Sequence, residues 1–68
     1  MTFRQWLMQH LKDSSALGDL AREFKADRCM RARTEQGQRA HLEEHGAIPA
    51  ALEVHAAAWQ QYREQSTA

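Results

Sequence analysis

The chain is predicted to fold as an all-α, four-helix domain. Three observations lead there. The first is composition: alanine is abundant, proline occurs once, and β-branched residues are confined to Ile48, Val54 and a few threonines. That balance favours helix over strand. The second is periodicity. Leu52, His55, Trp59 and Tyr62 recur at steps of three and four, which places them along one side of a helix. The third is length: 68 residues make one domain, 1–68, with a small core in which each large side chain counts.

The first helix is expected over about residues 3–12. Thr2-Phe3-Arg4-Gln5 fits a capping box, with Thr2 capping and Gln5 reaching back. Phe3, Trp6, Leu7, His10 and Leu11 then share a face, and Asp13-Ser14-Ser15 stops the run. The second helix is expected over 15–27, with Leu17, Leu20, Ala21 and Phe24 inward. Gly18 costs helix stability unless another backbone comes close there. Arg28 to Arg33 reads as a connection, with Met30 as its only large apolar residue. The third helix is expected over 35–45, capped by Thr34. Its apolar face is poor, since Ala40, His41 and Leu42 are the candidates and Gly37 weakens it. His45-Gly46 closes it.

Pro49 opens the fourth helix, over 49–64, because its missing N–H is one that no helix partner claims. Ala51 and Ala58 widen its apolar stripe, and Gln65 to Ala68 should fray. With two large rings, Trp59 and Tyr62, this helix is expected to be the piece the others pack against. The predicted core is Phe3, Trp6, Leu7, Leu20, Phe24, Leu42, Leu52, Trp59 and Tyr62.

Formal charge is zero but unevenly spread. From Arg22 to Arg39, six basic residues stand against three acidic ones; elsewhere three stand against six. Such runs are ordinarily solvated faces, yet a dipolar surface can also steer a partner or pair with a copy of itself. No signal peptide is expected from Met1-Thr2-Phe3-Arg4, and no stretch is long and apolar enough to span a bilayer. The default expectation is a cytoplasmic protein with no membrane contact. Cys29 is the sole cysteine, so it has no intrachain partner, and no orienting base for a nucleophilic thiol is evident beside it.

Phe3-Arg4-Gln5-Trp6-Leu7, Leu17-Gly18-Asp19-Leu20-Ala21, His41-Leu42-Glu43-Glu44-His45-Gly46-Ala47 and Ala57-Ala58-Trp59-Gln60-Gln61-Tyr62 form a set of four stretches. Taken together they resemble the YozE family of small bacterial proteins. The resemblance covers nearly the whole chain in the same order and spacing. It implies a sterile-alpha-motif-like arrangement of the four helices and carries no biochemical activity with it. Met30-Arg31 stands where the family has Phe-Pro, and Glu35, Gly37 and Gln38 stand where it opens its third helix with a tyrosine and an aliphatic residue. The connection and third helix are therefore expected to be rebuilt or looser.

Candidate chemistry is sparse. His41-Leu42-Glu43-Glu44-His45 matches H-x-x-E-H, in which two histidines four apart can reach one metal. A peptidase would also need a third ligand and a substrate cleft, and a structural role for His41 and His45 fits a chain this short better. The family has an aromatic residue where His41 stands. His10 and His55 lie on inner stripes and could meet across the core. Among the arginines, Arg28, Arg31, Arg33 and Arg39 form the candidate partner surface, for carboxylates of a protein or phosphates of a nucleic acid. No aromatic residue is interleaved with them, which disfavours base stacking. The sequence thus points to a non-enzymatic module without cofactor. Its expected partner is a protein or a second copy of the chain; nucleic-acid binding through Arg22–Arg39 is the alternative.

Overall fold

The computed structural model describes residues 1–66. It contains four helices, α1 (Phe3–Met8), α2 (Ala16–Ala26), α3 (Glu35–Glu44) and α4 (Pro49–Ser66), and no strand among the described residues. α4 packs against each of the other three, α1 also packs on α2, and α3 packs closely only on α4. The last helix is the element around which the chain closes.

Local chemistry sets each boundary. At α1 the capping box forms: the Gln5 amide donates to Thr2 Oγ1 at 3.1 Å and the Thr2 amide to Gln5 Oε1 at 2.9 Å. α1 stops at Met8, four residues short of the expected end. Beyond it the chain tightens into turns, with His10 N–H on the Leu7 carbonyl and Asp13 N–H on the His10 carbonyl. The carbonyls of Leu11 and Asp13 accept from Arg22 Nη1 at 2.7 and 3.0 Å, so a guanidinium braces these turns. Gly18 faces this turn. A Cβ there would collide with the Asp13 carbonyl oxygen, which is the close backbone approach that its glycine allows.

α2 ends at Asp27, whose Oδ1 accepts from the Cys29 amide at 2.9 Å and turns the chain. α3 begins where Thr34 Oγ1 accepts from Gly37 N–H at 3.1 Å. It ends in a Schellman motif. Ala47 N–H bonds the Leu42 carbonyl, Gly46 N–H bonds the Glu43 carbonyl, and Gly46 takes a φ of +77°. α4 runs to Ser66, past its expected end at 64. Gln65 is engaged rather than frayed, since its Oε1 accepts from the Trp6 indole at 2.7 Å. The expected fraying of Thr67 and Ala68 lies outside the described residues.

Phe3, Trp6, Leu7, Leu20, Ala21, Phe24, Met30 and Ala58 form the buried core. Leu42, Trp59 and Tyr62 are half-buried and pack against it; Leu52 is half-buried too, outside that cluster. The hub differs from expectation. Phe3, 3% exposed, touches five rings: Trp59 stacked at 4.3 Å, and Trp6, Phe24, His55 and Tyr62 at 5.6 to 6.1 Å. α4 presents His55 and Ala58 to the deepest layer. Its two large rings cover the edge of the cluster, because a small alanine at 58 lets the helix approach closely and carries Trp59 and Tyr62 past the centre.

Candidate functional site

A groove of about 690 Å³ opens beside the start of α1. That size suits a short peptide or a small ligand. Four parts of the chain build it. The start of α1 supplies Thr2, Phe3 and Arg4; the connection before α3 supplies Met30, Arg31, Ala32 and Arg33; Gln38, Trp59 and Tyr62 come from α3 and α4. Three arginines and no carboxylate line it. Arg4 reaches the Phe24 carbonyl at 3.3 Å. Arg31 and Arg33 are exposed and make no hydrogen bond or ion pair with the described residues.

The groove is held open by a buried polar knot. Gln38 accepts at Oε1 from the Trp59 indole N–H and from His55 Nε2, both at 2.9 Å, and donates through Nε2 to the Ala32 carbonyl at 3.1 Å. An indole nitrogen only donates, so the amide oxygen must face it. His55 Nε2 must then carry a hydrogen. One side chain thereby ties the groove loop, α3 and α4 together. Burial, more than any charge, pushes His55 below its ordinary value of 6.5; Glu35 acts against this and Arg39 with it. Tyr62 donates to the Met1 carbonyl at 2.6 Å and fixes the other wall.

The structure divides the predicted arginine surface. Arg31 and Arg33 line the groove. Arg28 lines a separate shallow depression with Arg22 and Lys25. Arg39 stands on α3 and pairs with Glu43 at 3.6 Å. Arg4 and Gln38 were not among the predicted site residues. Arg4 belongs to the groove only because α1 lies beside the 27–34 connection. Gln38 does leave a trace in the sequence: it precedes Leu42 by four and so shares the inner face of α3. The sequence also shows no aromatic residue among the arginines, yet folding brings Trp59 and Tyr62 beside them.

His41 and His45 stack on each other, with ring centroids 4.3 Å apart and planes 30° from parallel. The in-plane lone pairs of two rings stacked this way do not converge on one ion. His41 Nε2 also donates to Asp27 Oδ2 at 2.8 Å, joining α3 to the end of α2. This bond, with a second from the Cys29 amide, holds the Asp27 carboxyl below its ordinary 3.8. Among the described residues no group of three His, Cys, Asp or Glu side chains is placed to hold a metal ion. His10 and His55 are engaged separately, His10 with Asp13 at 2.9 Å and His55 with Gln38. Cys29 is exposed. Among the described residues no helix is long and apolar enough to cross a membrane.

No family model, no curated protein and no solved structure matches the chain.

Proposed function

We propose that the chain is a non-enzymatic interaction module, and that its groove receives an acidic, apolar-anchored segment of a protein. The observation that carries this reading is the placing of two arginines that have no partner among the described residues, Arg31 and Arg33, beside a floor of Phe3, Met30, Trp59 and Tyr62. Arginine forks bind carboxylates, and the apolar floor gives an aliphatic side chain somewhere to go. The four stretches quoted above support placing the chain as a divergent member of the YozE family, with a sterile-alpha-motif-like helix arrangement. That placement supplies no activity, so the reading rests on the groove.

The same arginines could meet phosphates, and the aromatic rings beside them favour single-stranded nucleic acid as the second reading. The ring geometry supports protein instead. Trp59 stacks on Phe3 at 4.3 Å, is pinned by Gln38, and meets Tyr62 edge-on at 5.4 Å and 90°. These rings are locked into one another rather than set apart for bases to slide between. The test titrates a synthetic peptide of alternating Glu and Leu, and separately a mixed-sequence single-stranded oligonucleotide, against tryptophan fluorescence. The peptide should bind, more weakly as salt is added, and binding should vanish in the Arg31→Glu, Arg33→Glu double variant. Equal binding by that variant removes the groove from consideration. Preference for the oligonucleotide replaces the first reading by the second.

A further inference from the structure

We propose that the groove's natural occupant is the opposite end of a second copy of this chain, so that the molecule associates head to tail. This rests on the groove reading and names its partner. The matching surface lies where α2 meets the first turns of α4. Leu20, Ala51 and Val54 floor a depression of about 190 Å³ there, edged by Asp19 and Glu23. Ile48 borders it and stands 65% exposed.

Three features fit the two surfaces to each other. The first is charge. Arg31 and Arg33 make no ion pair with the described residues at the groove, and Glu23, exposed and equally without one among the described residues, edges the Ile48 depression. Asp19 is already neutralised by Arg22 and is left out of this balance. The second is apolar exposure. Among the described residues, the large hydrophobic side chains left exposed are Ile48, beside Glu23, and Met1 at 72%, whose carbonyl holds Tyr62 at the groove. The third is geometry. Ile48 and Trp59 lie eleven residues apart on or beside one helix, about 16 Å along its axis. A rigid helix therefore keeps the knob out of its own groove. A contact between two different faces does not close on itself as an isologous pair does; it adds copies in line or around a ring.

Sedimentation velocity over a concentration series at low salt tests this, with circular dichroism confirming that each variant is folded. The wild type should grow beyond a dimer as concentration rises and fall back when salt is added. Ile48→Lys alone and Arg31→Glu with Arg33→Glu should each be monomeric. Mixed one to one, these two variants should form a dimer and nothing larger, because each mixture pair retains one intact groove and one intact knob. Growth that stops at a wild-type dimer, association surviving in either variant, or a mixture that stays monomeric overturns the inference. So does a wild type that is monomeric to about 1 mM, where weak contacts already register. If that monomer still binds the Glu-Leu peptide, the groove reading stands and only the self-association falls; if it binds neither, both fall.

Discussion

Gln38 illustrates how one side chain can decide the shape of a small protein. Its amide, on α3, faces two donors on α4 and one acceptor in the connection before α3 at once. A leucine of similar size would leave the Trp59 N–H, the His55 N–H and the Ala32 carbonyl without their partner. A buried polar group left unpaired costs about 1–3 kcal/mol, and the added apolar burial offsets part of the sum. Gln38→Leu should therefore destabilise the domain by about 2–4 kcal/mol in a urea titration. It should also shift the tryptophan emission, because the Trp59 indole loses its hydrogen bond. A variant as stable as the parent, with unchanged emission, would mean that the knot contributes nothing net.

At the level of the elements, two glycines carry constraints that no other residue meets. Gly46 holds a φ of +77° in open space, so alanine there meets strain but no clash. Gly46→Ala should cost about 1–2 kcal/mol, the ordinary penalty of the left-handed region. Gly18 is the reverse, a helical position with ordinary dihedrals and no room. Gly18→Ala must displace the 9–13 turn and should cost about 3 kcal/mol, the upper end for overpacking. Denaturant melts of the two variants should rank them in that order; the opposite ranking would mean that the turn yields easily. These elements were legible in the sequence to different degrees. The Thr2 box, the Thr34 cap, the Gly46 stop and the Pro49 start are short-range patterns, and each appears where the residues place it. The early end of α1 was not legible, because the turns that follow it are braced by Arg22, eleven residues away from Leu11, through the Leu11 and Asp13 carbonyls. The groove was half legible. Arg31 and Arg33 belong to the basic run, but Arg4 and the two α4 rings join them only through tertiary packing, which no local pattern encodes.

At the scale of the whole molecule, stability should follow the protonation of two groups that hold α3 in place. α3 packs closely only on α4, so its side-chain ties to the rest of the chain weigh heavily. His55 is held below 6.5 in the folded chain, chiefly by burial. Between that lowered value and 6.5 the unfolded chain binds more protons than the folded one, so stability falls as pH drops through this window. A group of this kind adds its full stabilisation above 6.5 and contributes no slope there. Asp27 works lower on the scale: its depressed carboxyl stabilises the fold above 3.8 and loses that effect as acid protonates it. Thermal or urea melts taken downward from neutral pH should therefore show a first loss beginning near 6.5, with a slope no steeper than about 1.4 kcal/mol per pH unit for one proton. His55→Gln removes that proton and keeps a donor toward Gln38. It should flatten the first loss while leaving the more acidic one intact. A first loss that persists in His55→Gln would assign it to another histidine, and a parent chain equally stable on both sides of 6.5 would show that the buried ring accepts its proton without disturbing the knot.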